Sequence, residues 1–399
     1  MPFVIYACAL CAFAFGLSEF VVIGLAPALG ASFDAVPAEV GQTVTWYALG
    51  VTLGGAILTA LTSSMSRKRL LVGAVLLFSL VHIAMAIAPT LLSVVAARFV
   101  SGLTHGVFLA AAAATAAHLV GYERAGKAVA LVFSGLTIAL VFGVPLGAYL
   151  GEHLSWRIVM LSVAVFALVG AAILAKKVPY EPGVKAEVTL AERLGLLWKP
   201  ELLAVLLVTV LSYTSLFTFY TYIAAFMAEV MHASEVFVGL ALLAFGVSAV
   251  AGNLFGGWLR DGIGSLNASL YVVSALVVIS VLIALLIALQ VGAAKTEVLV
   301  MLVLAGGLGF VAFAAVAVFQ SRIIEVAQEI APHSSDVASG LNISGFNLGI
   351  VLGSLLGSAV ISHLGITYLP YCSALVGLAS LLALGVQRFS EKRVASAAC

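Results

Sequence analysis

Residues 3–29 read FVIYACALCAFAFGLSEFVVIGLAPAL and contain a single charged side chain, Glu19. A helix needs about 20 apolar residues to cross the hydrocarbon core of a bilayer. Backbone polar groups in lipid must bond internally, and the apolar residues here are continuous rather than alternating. The stretch therefore predicts a membrane-spanning α-helix. No basic residues precede it, which favours a first span over a cleavable signal peptide.

The rest of the chain repeats this pattern. Hydrophobic residues make up 63% of the 399 residues and charged residues 9%, whereas a soluble domain is about a quarter charged. The composition predicts an all-α membrane protein with twelve spans. The predicted spans are 3–29, 39–63, 69–88, 91–119, 126–151, 157–175, 201–229, 236–259, 267–290, 297–322, 336–363 and 366–388.

One long polar break divides the predicted spans into two sets of six. The prediction is an N-terminal six-helix bundle at 1–175, a cytoplasmic linker at 176–200, and a C-terminal six-helix bundle with a short tail at 201–399. With the N-terminus inside, 15 of the 18 basic residues fall on the cytoplasmic side, as topology rules require. Both termini are therefore expected in the cytoplasm. Two similar halves with a binding site near the midplane are a common plan for secondary transporters.

Two charged residues lie deep within predicted spans, Glu19 in span 1 and Arg98 in span 4. At 1.5 Å per residue, both fall roughly 10–15 Å below the outer surface. A charge at this depth is a functional candidate because burying it in lipid is costly. We interpret the pair as a proton switch, in which Arg98 favours the charged carboxylate and desolvation favours the protonated one. The alternative is a structural ion pair between spans 1 and 4.

Polar side chains in other spans are candidates for a solute cavity, since such cavities are mostly apolar with a few polar groups. His105 lies two helical turns beyond Arg98. The other candidates are Tyr213 and Thr214 in span 7 and Asn342 and Asn347 in span 11. Hydrogen bonds between helices would explain them equally well. His82 in span 3 is interpreted as packing.

Small residues repeat at helical spacing in span 5, at Gly135, Gly143 and Gly147, with Pro145 among them. Such a face lets helix backbones approach closely. We expect it to serve conformational change, although tight packing alone would produce the same pattern.

Motifs of soluble enzymes are absent from the sequence. It has no G-x-x-x-x-G-K-[ST], no G-x-S-x-G and no H-E-x-x-H, so an enzyme is not expected and the energy must come from a gradient. Cys8 and Cys11 are interpreted as small apolar fillers. No cofactor, no metal and no nucleic-acid partner is expected.

Several strings resemble the twelve-helix drug:proton antiporter branch of the major facilitator superfamily. Gly16-Leu17-Ser18-Glu19-Phe20-Val21 is similar to the helix 1 pattern of that branch, and Ala97-Arg98-Phe99 with Gly102 and Gly106 to the helix 4 motif. The span 5 string through Gly143-Val144-Pro145-Leu146-Gly147 resembles the antiporter signature. The resemblance implies a fold of two pseudo-symmetric six-helix bundles, with proton coupling at Glu19 and Arg98.

The loop motifs of the superfamily are partly kept. Loop 2–3 lacks the usual glycines and aspartate and keeps only its basic end, Arg67 and Lys68. The second-half copy keeps Asp261. The resemblance implies that these three residues take part in gating.

Together these features predict a secondary transporter that exports a small organic solute, drug-like, sugar or nucleoside, in exchange for protons. The expected location is the bacterial inner membrane, the partners are the solute, protons and the bilayer, and analogy with the family implies a monomer. One alternative is a uniporter or an uptake symporter for a sugar, nucleoside or amino-acid derivative. Another, of a different class, is a membrane receptor or scaffold that does not transport.

Overall fold

The computed structural model describes residues 2–35, 37–62, 64–179, 195–196, 198–289, 294–330 and 335–398. Over these ranges the regular structure is helical and no strand is found. The α-helices are Phe3–Gly24, Ala26–Phe33, Pro37–Leu53, Thr59–Thr62, Arg67–Ala86, Leu91–Val120, Ala125–His153, Trp156–Lys177, Pro200–Tyr220, Ile223–Glu229, Glu235–Ile263, Ser265–Leu289, Ala294–Ile330, Ser335–His363 and Leu369–Ala398. A π-helical segment, Gly54–Leu58, joins the third and fourth, and 3-10 turns lie at Tyr122–Arg124 and Ile366–Tyr368.

Twelve segments of the described chain are long and apolar enough to cross a membrane, the first at Phe3–Val22 and the last at Ile366–Phe389. The all-α, twelve-span prediction is therefore confirmed. The segments match the predicted spans in order, and they are called span 1 to span 12 below.

Two predicted spans are each built from two helices. Span 1 ends at Gly24, and a second helix begins at Ala26 with Pro27 in its first turn. Proline has no backbone N–H, and the first turn of a helix is where that loss is tolerated. Span 7 ends at Tyr220 and the chain continues as a second helix from Ile223. The predictions of single helices over 3–29 and 201–229 were wrong at these two breaks.

Span 10 is longer than predicted. Its helix runs to Ile330, whereas the sequence predicted an end at residue 322. Ile323, Ile324 and Ala327 are buried, so the apolar face continues for two more turns. Arg322, at the predicted end of the span, is therefore a buried residue within the helix.

Contacts between Cα atoms divide the chain into two compact units. Unit 1 comprises residues 1–199 and 323–347, and unit 2 comprises 200–322 and 348–399. In unit 1, span 1 packs on span 5, span 2 on span 4 and span 3 on span 6. In unit 2, span 12 packs on spans 7 and 9. The predicted linker lies mostly outside the described residues, so the division at 176–200 stays a prediction.

Candidate functional site

Spans 2 and 4 cross in unit 1 with their backbones in contact. A Cβ added to Gly102 of span 4 would lie 3.1 Å from the Cα of Gly50 and would overlap the carbonyl oxygen of Tyr47. One turn further, a Cβ on Gly106 would lie 2.5 Å from the amide nitrogen of Gly55. Only glycine allows this approach. Arg98 precedes Gly102 by one turn, so the crossing fixes where its side chain meets span 2.

Arg98 is fully buried, and its guanidinium joins three spans. Nε donates to the carbonyl oxygen of Thr43 in span 2 at 3.1 Å. Nη1 donates to the carbonyl oxygen of Ser18 in span 1 at 2.9 Å and to its hydroxyl at 3.0 Å. The guanidinium carbon lies 3.9 Å from the ring centroid of Tyr47, a cation–π contact. Nη2 is buried without a hydrogen-bond partner, so the two N–H donors on this nitrogen remain unused.

Glu19 follows Ser18 directly but its carboxylate takes no part in these bonds. The side chain is partly exposed, and over the described residues it forms neither a hydrogen bond nor an ion pair within 4.0 Å. Its charge nevertheless interacts with that of Arg98. Their similar predicted depth would allow the two residues to approach each other, directly or through water. In the structure Arg98 bonds the residue before the carboxylate instead of the carboxylate itself.

Ser18 also connects span 1 to span 3. Its hydroxyl lies 2.7 Å from Nε2 of His82, and Nδ1 of His82 lies 2.8 Å from the carbonyl oxygen of Phe78. A carbonyl can only accept, so Nδ1 carries the proton and Nε2 accepts from the Ser18 hydroxyl. The same hydroxyl oxygen accepts from Arg98. Interpreting His82 as packing alone was wrong, because both ring nitrogens are bonded.

His105 contacts Tyr47, the tyrosine whose ring packs on the Arg98 guanidinium. Its Nδ1 is 2.6 Å from the hydroxyl of Tyr47, and its ring stacks on Phe15 with a centroid distance of 5.1 Å. His105 is only 2% exposed, and its Nε2 is buried without a partner. The arrangement places two histidines, a tyrosine and an arginine in one polar cluster beside Glu19. Of these side chains, the histidines are of the type that can pass protons.

Span 5 packs against the part of span 1 that carries Glu19. A Cβ on Gly135 would lie 2.7 Å from the amide nitrogen of Phe13, and one on Gly143 would lie 2.9 Å from the Cβ of Phe20. The structure thus brings both predicted glycines onto span 1. Pro145 and Gly147 lie within the same helix, Ala125–His153.

A second crossing in unit 1 joins span 2 to span 11. A Cβ on Gly340 would overlap the carbonyl oxygen of Gly55 and lie 3.0 Å from the Cβ of Thr59. Ser344 donates to the carbonyl oxygen of Thr52 at 2.5 Å, and Ser339 of span 11 donates to that of Ala110 in span 4 at 2.9 Å. The contact on span 2 falls at its π-helical segment, a deviation that is frequent at functional sites.

The predicted asparagines of span 11 flank this crossing. Asn342 is fully buried. Asn347 is 9% exposed, and its amide nitrogen donates to the carbonyl oxygen of Ile343 at 3.0 Å. Their assignment to a solute cavity stays a prediction.

Tyr213 and Thr214 are both buried in unit 2. The hydroxyl of Tyr213 donates to the carbonyl oxygen of Ala312 at 3.0 Å, and its ring borders an internal cavity of about 10 Å³. The hydroxyl of Thr214 is buried without a partner. The Tyr213 hydroxyl is therefore hydrogen-bonded within the protein, whereas the Thr214 hydroxyl is not. The role of the two residues in a solute cavity stays a prediction.

The residues implied in gating lie at helix ends. Arg67 and Lys68 open the helix of span 3 behind the N-cap Ser66, and Asp261 accepts from Arg260 at 3.3 Å in the last turns of span 8. No group of three His, Cys, Asp or Glu side chains in the described ranges is placed to hold a metal ion.

Sequence reasoning identified Glu19, Arg98 and His105 but missed Ser18, Tyr47 and His82. The presence of His82 at membrane depth was the available signal, since polar groups there usually find partners. Tyr47 and Ser18 carried no comparable signal, because an aromatic or hydroxyl residue is common in a span.

Comparisons with known proteins agree with this architecture. The sequence profile described as Major Facilitator Superfamily matches residues 8–331. The chain is 33% identical over 392 residues to the MFS-type transporter YtbD of Bacillus subtilis, covering 97% of this chain and 96% of that protein. It is 35% identical over 379 residues to the inner membrane transport protein YdhP of Escherichia coli K12, covering 94% of each. A probable sugar efflux transporter of Helicobacter pylori is 29% identical, covering 94% of this chain and 93% of that protein.

Among solved structures, the proton:xylose symporter XylE has a TM-score of 0.73 at 17% identity, covering 95% of this chain and 94% of its own. The twelve-span fold and these likenesses define a multi-pass membrane transporter and not an enzyme. The chain belongs to the major facilitator superfamily, whose members carry small molecules across membranes.

Proposed function

We propose that this transporter exports a small organic solute in exchange for protons by alternating access, with Glu19 as the proton-carrying group and Arg98 as its electrostatic partner. The observation that carries the proposal is the contrast between the two residues. Arg98 is fully buried and bonded to backbone oxygens, while Glu19 beside it is partly exposed and has no bonded partner in the described chain. A carboxylate in this setting can gain or lose a proton without breaking a hydrogen bond.

The exchange would work through the charge balance of the site. Arg98 favours the ionised form of Glu19, and loss of water around the carboxylate favours the protonated form. A solute that enters and displaces water shifts this balance, which couples solute binding to the proton.

Transport by purified protein in liposomes tests the proposal. An imposed pH gradient should drive solute movement in the wild type, and Glu19→Gln should abolish the response. Glu201→Gln is the matched control, because Glu201 lies exposed in the first turn of span 7. Gradient-driven transport at the wild-type rate in Glu19→Gln would refute the proton role. Counterflow that is independent of pH would favour the uniporter alternative.

Sugars are the first solutes to test, because relatives that cover most of this chain are named probable sugar efflux transporters. Drug-like molecules and nucleosides follow as the other proposed classes. We place the protein in the bacterial inner membrane with both termini in the cytoplasm, as supported by the distribution of basic residues.

A further inference from the structure

A groove of about 390 Å³ lies in unit 2, where span 8 ends and span 9 begins. This volume is within the range of about 300–1,000 Å³ found for small-molecule sites. The groove also reaches the end of span 12, which packs on span 9. Its lining residues are Ile263, Asn267, Leu270, Tyr271, Ser274 and Arg388.

The polar side chains that line the groove can all donate hydrogen bonds. Arg388 is exposed, and over the described residues it has neither a hydrogen bond nor an ion pair. The same holds for the hydroxyls of Tyr271, which is 66% exposed, and Ser274. Asn267 uses one amide hydrogen on the carbonyl oxygen of Ile263 at 3.0 Å and retains the other. Arg388 is the charged residue among those that line the groove, so the lining carries a net positive charge.

An apolar surface continues from the groove along span 9. The side chains of Val278, Leu282 and Leu285 are 54%, 45% and 46% exposed. They follow Ser274 at spacings of four, four and three residues, so they lie on the same helix face as the groove. In a membrane protein such a surface contacts acyl chains.

We propose that this groove binds an anionic phospholipid, with the phosphate on Arg388 and an acyl chain along the exposed face of span 9. A guanidinium donates two parallel bonds to phosphate oxygens, and basic pockets between spans at the cytoplasmic side bind lipid headgroups. The predicted orientation puts the end of span 8 on that side. A soluble anion would use the arginine but would gain nothing from the apolar surface. The site is independent of the proposed proton exchange at Glu19.

Native mass spectrometry of the full chain in detergent, titrated with phosphatidylglycerol and with phosphatidylcholine, tests the site. Arg388→Gln should weaken binding of phosphatidylglycerol at least fivefold, the factor that corresponds to about 1 kcal/mol per basic residue near an anionic lipid. Arg388→Lys should weaken binding less than Arg388→Gln, because it keeps the positive charge but loses the second parallel bond. The control Arg124→Gln removes an exposed arginine from unit 1 and should change nothing.

Equal weakening by Arg388→Gln and Arg124→Gln would show nonspecific electrostatics and overturn the site, as would no weakening in either variant. Displacement of phosphatidylglycerol by an equal concentration of glycerol phosphate would overturn the lipid assignment, because the acyl chain would then contribute nothing. Preference for phosphatidylglycerol over phosphatidylcholine that is lost in Arg388→Gln supports the proposal.

Discussion

Replacing Ser18 by alanine should destabilise the protein through the loss of one hydroxyl. Ser18 and His82 are both fully buried, and their side chains are 2.7 Å apart. Without the hydroxyl, Nε2 of His82 becomes a buried acceptor with no donor. Leaving a buried polar group unsatisfied costs about 1–3 kcal/mol. Arg98 loses its bond to the Ser18 hydroxyl but keeps its bond to the carbonyl oxygen of Ser18 at 2.9 Å. The energetic cost at Arg98 is therefore smaller than the cost at His82. We expect Ser18→Ala to lower the free energy of unfolding by about 2 kcal/mol.

His82→Phe removes the acceptor and preserves the ring, which packs on Phe78 with a centroid distance of 4.1 Å. In the double variant Ser18→Ala/His82→Phe neither partner is left unsatisfied, so its cost should be less than the sum of the single costs. Couplings between membrane helices average about 0.6 kcal/mol and reach about 1.7. Ser18 and His82 are fully buried and their side chains are 2.7 Å apart. We therefore expect a coupling energy in the upper half of this range, at about 1–1.7 kcal/mol.

Equilibrium unfolding in mixed micelles of the wild type, both single variants and the double variant measures this coupling. Ser162→Ala is the control, because the exposed Ser162 hydroxyl bonds only its own helix at the carbonyl oxygen of Ile158. It should change the free energy by less than about 0.5 kcal/mol. Independent sites add within about 0.3–0.5 kcal/mol. A coupling energy below about 0.5 kcal/mol would therefore refute the hydrogen bond between spans 1 and 3.

Two glycine substitutions test the helix crossings. Gly135→Val drives a side chain into the backbone of span 1 at Ala9, and overpacking of about 1–3 kcal/mol should lower the melting temperature in detergent. Gly340→Val should separate spans 11 and 2 at Gly55 and reduce the rate of transport in liposomes. Gly73→Val is the control for both, since no atom lies within 4 Å of its added Cβ. Wild-type behaviour of either variant would show that its crossing tolerates a side chain.

The sequence was sufficient for the fold because each span is set by local composition, with about 20 apolar residues and few charges. The helix breaks are less visible. Pro27 gave a signal for the break after Gly24, but nothing comparable marks the chain between Tyr220 and Ile223. The π-helical segment Gly54–Leu58 contains Gly54 and Gly55, which lie against spans 4 and 11, and no local sequence pattern reports such contacts.

The candidate site was predictable in its charges but not in its bonds. Glu19 and Arg98 stand out because charged residues are rare at membrane depth. Which acceptors Arg98 reaches is decided by the crossing of spans 2 and 4, and several rotamers of a long side chain are compatible with the sequence. His82 shows the same limit, since its bond depends on a serine 64 positions away in the chain.

The bonding of Arg98 to backbone oxygens bears directly on how a proton could be exchanged at Glu19. If the guanidinium were bonded to the carboxylate, each protonation would break a buried ion pair, which costs about 3–5 kcal/mol when one partner is lost. Here the guanidinium bonds to Ser18 and to the carbonyl oxygen of Thr43, which are neutral acceptors that do not change when Glu19 is protonated. The carboxylate can then respond to water and solute while spans 1, 2 and 4 stay joined. This separation of a fixed cation from a free carboxylate is why the Glu19→Gln variant should lose coupling and still fold.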